Sequence, residues 1–234
     1  MNWLRRLLGK APTLTVEQQL ALVAHHAQPV IDGVAPLATL RFVVADVETT
    51  GLQPYSDRLI SIGAVVVEHR AIRLSESFEV VFRQPQASNT ANILIHGIDG
   101  TTQLAGRAPA DAMLEFLDYA GAAPLVGYHA DFDRVMINRE AGNSIGSKLA
   151  NDWLDLAFLA PAVFDTADTK SLQTLDDWLQ RFGIHNHARH NALADALATA
   201  QLLQVVLARA MADGAQTLRD LMQIEQNQRW LSRR

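Results

Sequence analysis

One short stretch limits the fold of this chain more than any other, because an apolar run there ends in two acids. Residues 42–44, Phe-Val-Val, are strand-forming side chains in a continuous apolar run, which is typical of a strand buried on both faces. Asp46 and Glu48 follow, and because strand side chains alternate, both carboxylates project to the same side. Residues 49–51, Thr-Thr-Gly, then turn the chain.

Two carboxylates on one side of a buried strand end repel each other, and this repulsion needs compensation. A divalent cation such as Mg²⁺ or Mn²⁺ compensates it, since these ions prefer oxygen ligands. The alternative is a pair of solvated acids, which this stretch alone does not exclude.

The composition is that of a folded protein. The 234 residues are 49% apolar, enough for a sizeable core in one large or two small domains. The absence of cysteine excludes disulfides and thiolate metal sites and fits the cytoplasm, which is the compartment we expect.

No stretch of about 20 apolar residues is free of charge, so we expect no membrane-spanning helix. A net charge of −5 does not predict a basic nucleic-acid coat, but acids that bind metal ions contribute to that total.

The predicted elements divide the chain into three parts. Residues 1–40 are predicted to be a helical appendage and linker, in which Thr15-Val16-Glu17-Gln18 predicts a capped helix through about Ala27. Residues 41–210 form the main domain, and residues 211–234 form a basic tail that frays. Apolar and basic side chains at helical spacing in the first ten residues predict docking on the chain's own domain, on a protein partner or on a membrane surface.

The main domain is predicted to be an α/β fold around a mixed sheet. Three strands with short connections pair as an antiparallel meander, and they cover residues 41–47, 58–68 and 74–82. Two further strands cover residues 125–128 and 153–155. Residues 84–106 are predicted to be irregular. Helices are predicted over residues 109–119, 131–141, 171–182, with Ser171 as the N-cap, and 191–211. A strand–helix–strand unit after a meander gives a mixed sheet with helices on its faces.

Two further acids fall where a functional site would use them. Asp133 stands one turn inside the helix that follows the fourth strand, and ligands bind at strand ends in such sheets. Asp195 lies in a run of Ala and Leu, where a buried carboxylate needs a partner. His190 is offset from Asp195 around the helix and is free to hold a water. The alternative for His190 is a surface histidine, which is what we expect of His185 and His187.

Together these segments resemble the motifs of the DEDDh 3′–5′ exonucleases. That family includes the ε subunit of bacterial DNA polymerase III, ribonuclease T and oligoribonuclease. The matching motifs are Asp46-x-Glu48-Thr49-Thr50-Gly51, His129-Ala130-x-Phe132-Asp133 and His190-x-x-x-x-Asp195. The resemblance covers roughly residues 40–210, is nearest to the ε-like members, and is far more specific as a joint match than any one motif. It implies a ribonuclease-H-like fold with a mixed five-stranded sheet flanked by helices.

The resemblance also implies a role for each motif residue. Two divalent cations, Mg²⁺ or Mn²⁺, are held by four carboxylates, those of Asp46, Glu48, Asp133 and Asp195. His190 is the general base. The pocket for the terminal nucleotide is lined by Thr49, Leu52, His96 and Phe132. Where family members commonly have His-Asn, this chain has Tyr128-His129, which leaves the substrate preference of the pocket open.

The expected function is therefore hydrolysis of single-stranded nucleic acid from the 3′ end, with release of nucleoside 5′-monophosphates. Two ions held by carboxylates suit an in-line displacement at phosphorus. The resemblance favours DNA over RNA. Two alternatives stay open: an exoribonuclease of the ribonuclease T or oligoribonuclease type, and a non-catalytic nucleic-acid-binding module with the same fold. The sequence predicts no particular oligomeric state.

Overall fold

A mixed five-stranded sheet lies at the centre of the computed structural model, which describes residues 12–166, 169 and 171–232. The strand order is β3-β2-β1-β4-β5. β1, β2 and β3 pair antiparallel, whereas β4 pairs parallel with both β1 and β5. The strands are β1 (Arg41–Thr49), β2 (Leu59–Glu68), β3 (Ala71–Val81), β4 (Leu125–Gly127) and β5 (Trp153–Asp155). The meander followed by a parallel crossover is the topology predicted from the sequence.

Helices cover both faces of this sheet. Those within the described residues are α1 (Val16–His26), α2 (Thr90–His96), α3 (Gly100–Ala105), α4 (Pro109–Ala120), α5 (Asp131–Ser144), α6 (Leu156–Val163), α7 (Leu175–Phe182), α8 (Ala192–Ala212) and α9 (Leu218–Leu231). One core forms between the sheet and helices α6 to α9, and a second core forms between the opposite face and helices α4 and α5.

The alternation of β1 decides on which face its acids lie. Phe42 and Val44 belong to the core beneath α8, whereas Val43 and Val47 belong to the core beneath α4 and α5. Asp46 has the same parity as Val44, so its side chain continues the α8 face. The two acids of β1 therefore point towards the helix that carries Asp195.

A glycine allows α8 to approach the sheet at this point. Gly63 of β2 pairs with Asp46 of β1. A Cβ atom at Gly63 would lie 2.2 Å from the backbone nitrogen of Leu193, so no other residue fits beneath the first turn of α8. This close contact brings the beginning of α8 over the acidic end of β1.

The region predicted to be irregular, residues 84–106, contains two short helices. Asn89 caps α2 by accepting from the Asn92 N–H, and Asp99 caps α3 by accepting from the Thr102 N–H. Gly97, in the left-handed conformation with φ 74°, ends α2. The prediction was wrong here because helices of seven and six residues show too little periodicity to stand out.

Near the C-terminus, one helix begins later than predicted and one helix was not predicted at all. The N-cap of α7 is Thr174, in a capping box with Asp177, and not Ser171. The expectation that the chain frays after residue 210 is wrong for residues 218–231, which form α9 behind a capping box made by Thr217 and Asp220. The fraying expectation missed this capping box and the burial of Leu218 and Leu221 against α6.

The described part of the N-terminal segment, from residue 12 onwards, contacts the rest of the protein. The Thr15–Gln18 capping box that begins α1 is present as predicted. Residues 33–37, expected to be part of a linker, pair with the beginning of α9, with Leu37 N–H donating to the Gln216 carbonyl at 2.9 Å. The amphipathic start predicted within the first ten residues lies outside the described residues.

Helix α8 alone among the described helices has the length and apolar composition that would suit a membrane span. More than half of its most apolar stretch is buried within the protein, where it packs against β1 and β2. Core helices of folded domains commonly have this composition.

Candidate active site

Three carboxylates meet where β1 ends and α8 begins. Asp46 and Glu48 come from β1, and Asp195 comes from the first turn of α8. One oxygen from each lies within 4.8 Å of the others. Glu48 and Asp195 are buried, and Asp46 is half-buried. Three of the four acids predicted to bind metal ions are thus brought together from two elements.

The fourth predicted acid, Asp133, approaches this group from the other face of the sheet. It lies in the first turn of α5 and is buried, and it stands outside the set of three close oxygens. Burial raises the pKa of Asp133 to about 8, and the N–H groups of Asp133 and Val47 oppose that rise. The negative charge of Asp133 in turn raises the pKa values of Asp46 and Glu48.

The carboxylates of β1 are held in an unfavourable environment for negative charge. Burial raises the pKa of Glu48 to about 8, with a further contribution from Asp195. Burial likewise raises the pKa of Asp46 well above its ordinary value, and Asp133, Asp195 and Glu48 add to this rise. Arg189 lowers both pKa values. Buried carboxylates this close together require positive charge, and an all-oxygen set of donors fits a hard divalent cation.

Asp195 is held by three donors from the turn that precedes α8. Nη1 of Arg189 lies 2.7 Å from its Oδ1, and the backbone N–H of His190 donates to its Oδ2 at 3.0 Å. The Asn186 side-chain amide donates to Oδ1 as well. Arg189 also pairs with Asp176 at 3.0 Å. The carboxylate of Asp195 is therefore fixed in position by its own turn.

His190 lies beside the acids and not among them. It is exposed, in the last turn before α8, and its φ of 60° is in the left-handed region that non-glycine residues seldom adopt. In this conformation its backbone N–H donates to Asp195. His185 and His187 are exposed in the preceding loop, as the sequence predicted.

Two of the predicted pocket residues are linked through a residue that the sequence analysis missed. Asn92 of α2 donates to the Thr49 carbonyl at 2.9 Å and accepts from the His96 ring at 3.0 Å. Nδ1 of His96 accepts from the Ile98 N–H, so its proton lies on Nε2. His96 is buried, and burial lowers its pKa. Asn92 was missed because the short helix that carries it was not predicted.

The other two predicted pocket residues differ in exposure. Leu52 is 83% exposed on the loop that follows β1. Phe132 is half-buried in the first turn of α5 and packs against the second core, next to Asp133. The structure places both on segments that are continuous with a candidate metal ligand.

A second cluster, at the end of β5, was missed entirely. The carboxylate of Asp155 accepts from the His129 N–H at 2.9 Å and pairs with Arg229 of α9 at 3.3 Å. Arg229 also pairs with Asp131 at 2.7 Å and with Glu225 at 2.6 Å. An acid at the end of a buried strand was the available signal, as it was for Asp46.

Comparisons with known proteins match most of this chain to one family. Residues 43–203 match a family model described as Exonuclease. A DNA polymerase III subunit epsilon-like protein of Rhodobacter capsulatus is 35% identical over 187 residues, which are 78% of this chain and 26% of that protein. The DNA polymerase III subunit epsilon of Aquifex aeolicus is 28% identical over 166 residues, covering 71% of this chain and 80% of the relative. This chain thus spans about a quarter of the length of the Rhodobacter protein.

A solved structure shares the fold. E. coli exonuclease I in complex with a dT13 oligonucleotide matches with a TM-score of 0.61 and 20% identity, over 74% of this chain and 42% of that chain. The predicted mixed five-stranded fold is confirmed by this likeness.

Proposed function

Because the chain belongs to the exonuclease family, we propose that it hydrolyses single-stranded nucleic acid from the 3′ end and releases nucleoside 5′-monophosphates. The observation that carries this proposal is the buried cluster of Asp46, Glu48 and Asp195, with Asp133 beside it. In a solvated surface cluster, burial would not raise the pKa values of the carboxylates. The ionised carboxylates of this cluster therefore need a nearby positive charge.

We assign two divalent cations, Mg²⁺ or Mn²⁺, to Asp46, Glu48, Asp133 and Asp195. Bound ions there would make a water nucleophilic and would stabilise the oxygen that leaves phosphorus. The chain supplies four carboxylates from β1, α5 and α8, of which Glu48, Asp133 and Asp195 are buried and Asp46 is half-buried. Arg189 supplies positive charge to the same group when it is free of metal.

We assign His190 as the general base. His190 is exposed just before α8, and the bond from its backbone N–H to Asp195 holds it beside the carboxylate cluster. An exposed imidazole there can accept the proton of an attacking water and pass it to solvent. His187 has no such link to Asp195 within the described residues.

We assign the terminal nucleotide to a pocket lined by Thr49, Leu52, His96 and Phe132. Leu52 is free to lie against a base because 83% of it is exposed. Both ring nitrogens of His96 are already bonded within the protein, so its contact with a nucleotide would use the ring face. Apolar and aromatic contacts of this kind are tolerant of base identity.

The proposed substrate is single-stranded DNA, and the proposed compartment is the cytoplasm. The relatives are a DNA polymerase III subunit epsilon and an epsilon-like protein, and the exonuclease I structure that shares the fold holds a dT13 oligonucleotide. The 2′-hydroxyl distinguishes RNA from DNA at such a site. Side-by-side rates on DNA and RNA oligonucleotides of the same sequence test this assignment, and faster hydrolysis of RNA would overturn it.

We place the exonuclease domain at residues 41–210, with residues 1–40 as an appendage and residues 211–234 as a C-terminal extension. Val16, Leu20 and Val23 are exposed at helical spacing along α1, which supports a protein partner for the appendage. Leu20→Glu should abolish such an association without slowing hydrolysis of a small phosphodiester. If the Leu20→Glu variant still bound its partner as the wild type does, α1 would not be the binding surface.

The polarity of cleavage tests the proposed function. A site that grips a terminal nucleotide should act on a single-stranded DNA with a free 3′-hydroxyl and should be slowed strongly by a 3′-phosphate. The matched control is a circular single strand of the same composition, which has no end and should survive. Equal rates on free, blocked and circular substrates would identify an endonuclease and would contradict the proposal.

A further inference from the structure

Two clefts lie beside the loop that carries Leu52, and both are lined by Tyr55 and Arg139. The first has a volume of about 530 Å³ and reaches to Arg58 and Arg83. The second, of about 440 Å³, lies on the other side of Tyr55 and reaches to Lys148. The two clefts adjoin each other at these two shared residues. We call this surface the Tyr55 groove.

The Tyr55 groove collects positive charge on a chain that is negative overall. Its basic residues are Arg58, Arg83, Arg134, Arg139 and Lys148, and Glu140 is its one lining acid. The whole chain has 20 basic against 25 acidic residues. An excess of four positive charges on one surface is therefore opposite in sign to the protein's net charge, and it attracts a polyanion.

Most of these charges are not cancelled by neighbours. The Arg58 guanidinium donates to the Gln84 side chain at 2.9 Å and to a backbone carbonyl, and Arg83 donates to the Gly106 carbonyl at 3.1 Å. Within the described part of the chain, no carboxylate forms an ion pair with Arg58, Arg83, Arg139 or Lys148. Arg134 differs, since it pairs with Asp131 at 2.9 Å.

An exposed aromatic ring divides the groove. Tyr55 is 84% exposed, and its loop is held from both sides. Arg139 donates to the carbonyls of Pro54 and Asp57, and the Asp57 carboxylate accepts from the Gln53 N–H at 2.8 Å. A large ring on a fixed loop in a basic groove is the combination by which proteins stack bases of a single strand while contacting its phosphates.

The groove is joined to the candidate active site by two elements. Leu52, assigned to the terminal nucleotide, precedes Tyr55 on the same loop. Asp133 and Arg139 lie on α5 six residues apart, which corresponds to about 9 Å along the helix. A strand whose 3′ end lies at the carboxylates can therefore continue into the groove.

We propose that the Tyr55 groove binds the part of a single-stranded nucleic acid that lies 5′ of the terminal nucleotide. Tyr55 stacks on a base, and Arg83 and Lys148, one on each side of it, contact backbone phosphates. This proposal rests on the proposed exonuclease function. The groove would make the protein prefer polynucleotides to dinucleotides, because only longer strands reach it.

The test compares charge removal in the groove with the same charge removal elsewhere. Arg83 and Lys148 are both exposed, so Arg83→Gln with Lys148→Gln should fold normally. The matched control is Arg70→Gln with Arg73→Gln, near the β2–β3 turn at the other end of β2, about 25 Å or more away. Tyr55→Ala is the third variant. Two substrates are used, the p-nitrophenyl ester of thymidine 5′-monophosphate and an oligothymidylate of about 20 nucleotides.

We expect the ratio of kcat/KM for the oligonucleotide to that for the ester to fall about tenfold in the groove double variant and in Tyr55→Ala. In the groove double variant, the slope of log KM against log salt concentration should also become shallower by about 0.7 for each charge removed. The control double variant should match the wild type in both quantities. Equal ratios and slopes in the groove and control variants would overturn the groove proposal. If the wild type hydrolysed neither the ester nor the oligonucleotide, the proposed function itself would be overturned.

Discussion

The guanidinium of Arg189 lies against the carboxylate of Asp195, with Nη1 and Oδ1 2.7 Å apart. Arg189 is the residue before the proposed general base, and Asp195 is a proposed metal ligand. The arginine lowers the pKa values of both acids of β1, so it supplies positive charge that a bound cation would otherwise supply. A cation that enters the cluster therefore meets carboxylates whose negative charge Arg189 already partly neutralises.

Arg189→Gln should bind divalent cations more tightly than the wild type, because the competing positive charge is gone. We expect the concentration of Mn²⁺ at half-saturation to fall about threefold to tenfold, as measured by calorimetric titration. Arg189→Lys keeps the charge and serves as the control, with affinity near that of the wild type. Weaker binding in the glutamine variant would show that Arg189 assembles the metal site instead of competing for it.

The metal-free protein should lose stability as pH rises. The folded-state pKa values of Glu48 and Asp133 are about 8, above those of the unfolded chain, so the folded state binds more protons in this window. Stability from these groups is complete below about pH 4 and is lost as pH approaches 8. The free energy of unfolding in EDTA should fall steeply, by roughly 4–8 kcal/mol, from about pH 5 to about pH 8.5.

Glu48→Gln should reduce the slope of that dependence, whereas Glu79→Gln, which replaces an exposed carboxylate of β3, should not. Added Mg²⁺ should raise the stability most at high pH, since a cation favours the ionised carboxylates. The measurement is urea unfolding at a series of pH values. A metal-free protein whose stability rises across this range would contradict the assigned burial of these acids.

His190→Ala should separate catalysis from metal binding. Loss of a general base typically costs about 10²- to 10⁴-fold in rate, and we expect kcat to fall within that range. Affinity for Mn²⁺ should stay near that of the wild type, because His190 contacts Asp195 through its backbone and not its ring. His187→Ala is the control and should keep full activity. If His187→Ala lost activity and His190→Ala kept it, His190 would not be the general base.

Arg229 should be necessary for stability although it contacts none of the proposed metal ligands. It pairs with Asp131, Asp155 and Glu225, and its guanidinium lies 4.3 Å from the centre of the Phe158 ring. Arg229→Ala leaves two buried carboxylates without their cation, which should cost about 2–4 kcal/mol in the free energy of unfolding.

Arg219→Ala is the matched control for that change. Arg219 also lies on α9, but its pairing with Asp32 is exposed and 3.7 Å long, so its loss should cost about 0–1 kcal/mol. Thermal or urea unfolding measures both variants. Equal costs would show that the Arg229 cluster does not hold α9 in place.

The sequence predicted the parts of the site that depend on local pattern. The alternation of β1 is enough to place Asp46 and Glu48 on one face, and the apolar surroundings of Asp195 are enough to predict its burial. The antiparallel pairing of β1, β2 and β3 follows from their short connections. These features depend on neighbours within a few residues, so they are readable from one sequence.

The contacts that complete the site are of a different kind. Gly63 allows α8 to pack closely on the sheet, although the two segments are far apart in the sequence. Arg229 pairs with Asp155, which lies 74 residues away in the sequence. No periodicity encodes such pairs. Asn92 was missed for a local reason, since α2 is short and its capping residue, Asn89, is also common in loops.

We have proposed that the cluster of Asp46, Glu48, Asp133 and Asp195 hydrolyses 3′ ends with the help of divalent cations. Digestion of a 5′-labelled single-stranded DNA tests it most directly, with wild type and Asp46→Asn each assayed in Mg²⁺, Mn²⁺ and EDTA. We predict a ladder that shortens from the 3′ end with the wild type and either metal, no cleavage in EDTA, and a fall of about 10³-fold or more in kcat for Asp46→Asn. Full cleavage in EDTA, or an Asp46→Asn variant as active as the wild type, would contradict the account.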